Sequence, residues 1–256
     1  MTAPSALVIV PTFNERENLP VLVDGVLQHA NVRVLVVDDR SPDGTGEVAD
    51  ALARRHPGRV EVMHRESQRG LGRSYIDGIR LAITRPVDLV CQMDADLSHD
   101  PRQLPSLVEG ARHADLVVGS RYVRGGAIVN WPKRRQLLSR LANVYIRSVT
   151  RLAVHDCTSG YRCWRRDMLA ALPLDRVTSE GYSFLVEMLY VAVQCGCRIA
   201  ETPITFVERR QGKSKLTARV LFESALTPWR VVATRGGHRM CREHAVISHG
   251  DTETPR

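Results

Sequence analysis

The 256-residue chain predicts an α/β fold, with a mostly parallel central sheet flanked by helices, on three observations. Short Val- and Ile-rich runs alternate with helix-period segments through residue 119, which is the rhythm of βαβ units. Two of those runs close on acidic pairs, Asp38-Asp39 and Asp94-Ala95-Asp96, at strand ends, where open α/β sheets bind ligands. The 43% hydrophobic content is ample for one packed domain.

The elements follow in order. Residues 6–10 read as the first strand, ended by Pro11, and 17–29 as the first helix. Strand 32–37 runs into the turn Ser41-Pro42-Asp43-Gly44-Thr45-Gly46, where Ser41 or Asp43 caps helix 46–55. Strand 60–64, helix 72–84 and strand 88–93 come next. Helix 101–112 starts at Pro101 behind the cap Asp100, and strand 116–119 closes the series. Beyond residue 120 the alternation stops. Residues 133–152 form a basic amphipathic pattern, 181–196 a second helix, and 198–208 a strand pair or one strand bent at Pro203. A last helical pattern, 217–235, is interrupted by Pro228 and carries Phe222, Ala225, Trp229 and Val232 on one face. The polar, unpatterned 236–256 reads as a disordered tail, which leaves 1–235 as the domain.

Charge and cysteines bound the function. Thirty-six basic against 28 acidic residues leave a net charge of +8, which favours anionic partners. Helix-turn-helix, zinc-finger and aromatic-interleaved basic patterns are absent from the sequence, so nucleic acid is not an expected partner. The six cysteines include no Cys-x-x-Cys, and reduced thiols in the cytosol are expected. No uncharged apolar stretch reaches the roughly 18 residues of a spanning helix, and no secretion leader is evident. A soluble or peripheral protein is expected.

On a strand, residues i and i+2 point the same way, so Asp94 and Asp96 can face one ligand. Their hard oxygens suit Mg²⁺ or Mn²⁺, ions that complete their shells with substrate phosphates and water. The competing role for both is helix capping. Asp39 is expected to accept from a nucleobase or ribose hydroxyl. In Pro11-Thr12-Phe13-Asn14-Glu15, Phe13 offers a flat surface beside a base and Glu15 an acceptor for base or sugar donors. Residues 208–216, Glu-Arg-Arg-Gln-Gly-Lys-Ser-Lys-Leu, form a basic loop suited to the charge on a departing diphosphate. That loop lacks the Walker spacing. No serine or cysteine nucleophile signature stands out, and His99 reads as local structure. A phosphatase built on Asp94-x-Asp96 of the haloacid dehalogenase type would usually place this pair after its first strand, and here it follows the fourth.

In order, Pro-Thr-Phe-Asn-Glu-Arg-Glu-Asn-Leu (11–19), Asp-Asp-Arg-Ser-Pro-Asp-Gly-Thr (38–45), Asp-Ala-Asp-Leu-Ser-His-Asp-Pro (94–101), Gly-Ser-Arg-Tyr (119–122), Thr-Ser-Gly-Tyr-Arg (158–162), Gly-Tyr-Ser-Phe (181–184) and the 208–216 loop resemble family 2 glycosyltransferases of the GT-A, Rossmann-like fold. More narrowly they resemble the dolichol- or polyprenol-phosphate mannose synthases. The likeness implies that Pro11, Phe13, Glu15 and Asp39, with Asp38 beside them, line the nucleoside pocket. It implies that Asp94 and Asp96, with Ser98 near, hold Mg²⁺ or Mn²⁺ on the diphosphate, that Ala95 lies against the nucleotide sugar, and that Arg121, Arg209 and Lys215 contact phosphates. Asp96 and Arg121 would be catalytic, and Arg135 would take the acceptor phosphate. Many relatives have Tyr for Phe13 and Asn for Arg40, and some have Gln for Ser98 as a side-chain metal ligand. The implied reaction moves mannose from GDP-mannose to a polyprenyl phosphate with inversion. The alternative is another sugar, such as glucose from UDP-glucose, or a soluble acceptor. A lipid acceptor implies peripheral attachment at the cytoplasmic face of a membrane through helices 133–152 and 217–235, with or without a membrane partner protein.

Overall fold

The computed structural model describes residues 3–208 and 218–235. Among the described residues nine strands form: β1 Ala6–Thr12, β2 Val32–Asp38, β3 Val60–His64, β4 Leu89–Gln92, β5 Leu116–Ser120, β6 Ala127–Val129, β7 Arg162–Arg165, β8 Ile199–Pro203 and β9 Thr205–Val207. Eight α-helices accompany them in the described residues: α1 Asn18–Leu27, α2 Thr45–Arg55, α3 Leu71–Ala82, α4 Leu104–Gly110, α5 Lys133–Thr150, α6 Arg166–Ala170, α7 Gly181–Gln194 and α8 Ala218–Arg235. Seven strands make one sheet in the order β3-β2-β1-β4-β7-β5-β8, and β6 pairs with β9 apart from it. Every pairing in the large sheet is parallel except those of β7, which runs antiparallel to both β4 and β5.

Period-2 alternation sends the central strands' side chains into two cores. Leu7, Ile9, Leu35, Val37, Val90 and Trp164 face α3 and α7 on one side. Val8, Val10, Val34, Val36, Cys91 and Cys163 face α1, α2 and α4 on the other. Burial on both faces explains why these strands read as unbroken apolar runs.

The expected elements through residue 119 form, with shifted ends. Strand β1 continues through Pro11 to Thr12. Pro11 shares the orientation of Ile9 toward β4, where the β1–β4 pairing has already ended, so its missing N–H costs no ladder bond. The helix expected over 101–112 is a 3₁₀ turn, Pro101–Gln103, followed by the short α4. Asp100 does cap it, accepting from the Arg102 N–H at 2.9 Å. Neither Ser41 nor Asp43 is the N-cap of α2: that position is Gly44, and Asp43 just before it accepts from the Thr45 N–H at 3.0 Å. The segment 198–208 is two strands in two different sheets, divided just after Pro203. Strand β7 is absent from the sequence reading because Arg162-Cys163-Trp164-Arg165 is too short and too charged to stand out. Cys91, Cys157, Cys163 and Cys197 are buried free thiols, whereas Cys195 is disulfide-bonded, so the expectation of an all-thiol chain fails there. The 236–256 tail lies outside the described residues.

Candidate active site

The carboxyl ends of β1, β2, β4 and β5 lie at one edge of the sheet, and because β7 is antiparallel its amino end lies there too. The chain leaves β1 toward β2 on one side while β4 lies on the other, so the crevice above β1 is a topological switch point.

Asp94 follows β4. Its Oδ1 accepts from the buried Tyr75 hydroxyl at 3.0 Å. Its backbone N–H donates to His99 Nδ1 at 3.2 Å, which places any proton of a neutral His99 ring on Nε2. Burial pushes the His99 pKa down. Burial likewise pushes the Asp94 carboxyl up, with Asp96 adding to the rise against the opposing pull of His99, Tyr75 and Arg121. Asp96 is half-buried in the turn after β4, next to Leu97, a non-glycine residue at φ 60°. Its Oδ1 accepts from the Ser98 N–H at 3.1 Å and the Ser98 hydroxyl at 2.6 Å. Ser98 therefore orients Asp96. The Ala95 side chain is buried in the core beneath.

Among the described residues no cluster of three or more His, Cys, Asp or Glu side chains is placed to hold a metal. Two carboxylates, with Asp96 braced by the Ser98 hydroxyl, are a third of a six-oxygen shell. They fit Mg²⁺ or Mn²⁺ with a diphosphate and water completing it.

The two aspartates after β2 part company. Asp38 is buried and shapes the loop: its Oδ1 accepts from the Thr12 hydroxyl at 3.1 Å and from the Ser41 hydroxyl at 2.6 Å. Asp39 is as buried and braces a different segment: Gly70 N–H donates to its Oδ2 at 2.8 Å and Arg65 pairs with its Oδ1. Arg65, also buried, reaches Asp77 at 2.8 Å and Ser67 at 2.8 Å. Phe13 is half-buried, with the Arg69 guanidinium 4.7 Å above its ring. Glu15 accepts from Asn18 Nδ2 at 2.7 Å, and Pro11 sits half-buried in β1.

On the opposite wall Arg121, just past β5, is 8% exposed and bidentate to the fully buried Asp156, with both bonds at 2.7 Å. Its Nη2 also donates to Thr158 Oγ1 at 2.8 Å. Burial alone would raise the Asp156 carboxyl, but the Arg121 charge and hydrogen bonds outweigh it and hold the pKa below the ordinary value. The guanidinium lies 5.2 Å from the Phe206 ring and 5.4 Å from Tyr122. Arg135 stacks 3.9 Å from the Trp131 ring and donates to Glu208 at 2.7 Å. The structure thus gathers Asp94, Asp96, Ser98, Arg121 and Arg135 around one edge. Arg209 and Lys215 lie outside the described residues.

Sequence reading missed Arg65, Tyr75 and Asp156, and gave Arg162, quoted within the 158–162 motif, no role of its own. Arg65 had a signal, since it directly follows a strand at the ligand-binding edge. Asp156 had none, because its partner lies 35 residues upstream.

The family model of glycosyl transferase family 2 matches residues 7–172. The chain is 47% identical over 221 residues to the polyprenol monophosphomannose synthase of Mycolicibacterium smegmatis, covering 85% of this chain and 83% of that protein. It is 46% identical over 237 residues to the undecaprenyl-phosphate mannosyltransferase of Micrococcus luteus, covering 91% and 97%. Among solved structures, the glucosyl-3-phosphoglycerate synthase of Mycobacterium tuberculosis with Mn²⁺ and UDP aligns at TM-score 0.61, 20% identity, over 90% of this chain and 78% of that one. A Pyrobaculum calidifontis mannosyltransferase holding GDP-Man and Mn²⁺ aligns at TM-score 0.56, 17% identity, over 96% and 79%. At these identities the structural likeness carries the fold. The family match and the two sequence relatives carry more: the chain belongs to glycosyl transferase family 2, in the group of the polyprenol-phosphate mannose synthases, and is a glycosyltransferase.

Proposed function

We propose that residues 1–235 transfer mannose from GDP-mannose to a polyprenyl phosphate, releasing GDP and giving the β-linked lipid phosphate sugar by inversion. The observation that carries this reading is the pairing, across one crevice, of two carboxylates with a buried, bidentately held arginine. Such a pocket suits a diphosphate leaving group, while the names of the relatives supply mannose and the prenyl phosphate.

In this reading Pro11, Phe13, Glu15 and Asp39 line the nucleoside pocket, and Asp38 sets the loop that carries Asp39. Asp94 and Asp96, with Ser98 orienting Asp96, hold the divalent ion. When bound there, Mg²⁺ or Mn²⁺ supplies charge neutralisation on the diphosphate. Arg121, with Arg209 and Lys215, stabilises the departing GDP, and Arg135 receives the acceptor phosphate. A phosphate monoester has a second pKa of about 6, so the acceptor is ionised near neutral pH and attacks without a strong base. The enzyme's task is alignment in line with the leaving group. Incubation with GDP-[¹⁴C]mannose, polyprenyl phosphate and Mg²⁺ is expected to move label into the organic extract as the β anomer. Label confined to the aqueous phase would favour a soluble acceptor, and an α-linked product would overturn inversion.

The acceptor's tail places the protein at a membrane surface, on the cytoplasmic side in our reading, alone or with a membrane partner. No helix among the described residues is long and apolar enough to cross a bilayer. Helix α5 buries only Asn143, Ile146 and Thr150, leaving Leu137, Leu138, Leu141 and Val144 more than half exposed. Helix α8 packs beside it, and Trp229, 60% exposed, donates to the Tyr145 hydroxyl at 2.9 Å. Of the face expected on α8, Ala225 and Trp229 are exposed and Val232 is partly buried against the core. An apolar stripe bordered by Lys133, Arg134 and Arg140 suits an anionic interface, where each basic residue adds about 1 kcal/mol. Flotation with anionic liposomes at low salt is expected to carry the protein upward, and Leu141→Glu to weaken the association about tenfold. Unchanged flotation of that variant would remove α5 from the contact.

A further inference from the structure

Of the motif Thr158-Ser159-Gly160-Tyr161-Arg162 only Thr158, on Arg121, enters the site above, yet Arg162 is among the largest fully buried side chains. It opens β7 at the site edge. Its Nε donates to the Ser159 carbonyl at 2.9 Å and its Nη2 to the Cys157 carbonyl at 3.1 Å. Nη1 is buried with no hydrogen-bond partner, and so is Nε2 of Gln92, its register neighbour on β4. No carboxylate pairs with Arg162 among the described residues. Burial lowers its pKa to about 10, so it stays charged at neutral pH. A buried guanidinium without a carboxylate is costly, and an apolar residue would pack the same space more cheaply.

What this side chain grips is the loop 156–160, and that loop touches both walls of the crevice. At one end Asp156 and Thr158 hold Arg121. At the other Gly160 closes on Asp94, since a Cβ there would stand 3.1 Å from the Asp94 carboxylate. The two carbonyls bonded by Arg162 bracket Thr158. We propose that Arg162 is a positioning residue for glycosyl transfer: by bracing the 156–160 loop from within, it sets the spacing between the Asp94 carboxylate and the Arg121 guanidinium. This rests on the reading that both groups face the donor diphosphate.

Arg162→Lys keeps the charge but loses the two-pronged grip. With GDP-mannose and polyprenyl phosphate it is expected to lower kcat about 10²-fold, the cost of a misplacement of roughly 1 Å. KM for GDP-mannose and calorimetric affinity for GDP are expected to stay within about threefold, since a transition-state interaction is what is lost. In an Asp156→Asn background the same change should cost less than about threefold more, because both act through one loop. A kcat within twofold of wild type, or losses that simply add, would overturn the proposal. Gly160→Ala supplies a second arm that leaves Arg162 intact while pressing on Asp94. A matching fall in kcat supports the loop as the link, and wild-type kcat overturns it. Arg121→Ala separates the two levels. If it is fully active, the diphosphate reading itself fails. If it is inactive while Arg162→Lys is active, that reading stands and the positioning role falls.

Discussion

Asp96→Ala is expected to abolish transfer of label into the organic extract, a fall in kcat/KM of at least about 10³-fold, or about 4 kcal/mol of transition-state stabilisation. The Asp96 carboxylate is held within its own turn: Ser98 donates to one oxygen through both N–H and hydroxyl. Its pose is therefore set by the turn and needs no induced change. Asp96→Asn is the sharper comparison, because the amide oxygen still accepts both Ser98 bonds while the charge is lost. If the charge at the diphosphate is what matters, both variants fail with melting temperatures close to wild type. Full activity in Asp96→Ala would remove Asp96 from the metal site.

Asp156→Ala is expected to be the most damaging single change to stability. It leaves the Arg121 guanidinium buried without its carboxylate, at a cost of about 3–5 kcal/mol. For a domain of this size that is a melting-temperature loss on the order of 10 °C. Calorimetry on the full chain checks it, and a loss under about 2 °C would show Arg121 to be rehydrated at little cost. Activity should fall as well, since Arg121 loses the two bonds that aim it. A pH dependence follows. The folded-state pKa of Asp156 is depressed, so its contribution is present above the unfolded value of about 3.9 and is lost as pH falls through the lower folded value. Asp156→Asn is therefore expected to flatten the acid limb of a stability curve below about pH 4 while lowering the plateau above it.

Much of the crevice was legible because strand ends write themselves locally. Asp94, Asp96 and Asp39 each follow an apolar run, and the rule that ligands bind at carboxyl ends needs no knowledge of strand order. Capping by Asp100 was equally local, a matter of a carboxylate two residues before an open N–H. The exposed stripe of α5 was only half legible. Period 3.6 marks an apolar face but not whether that face meets the core or solvent, and only packing shows that Ile146 goes inward while Leu141 does not.

What the sequence determined by itself is therefore the fold class, the sheet edge proposed to carry the chemistry and the residue types gathered there. Tertiary structure alone decided which of those groups are braced and by what. Asp38 and Asp39 are adjacent in sequence, yet one is spent on its own loop and the other meets Arg65 across 26 residues. Arg121 acquires Asp156 only because β7 enters antiparallel between β4 and β5 and delivers its preceding loop to the same edge. Strand order and direction depend on which surfaces bury together across the whole chain, and no window of sequence contains that sum.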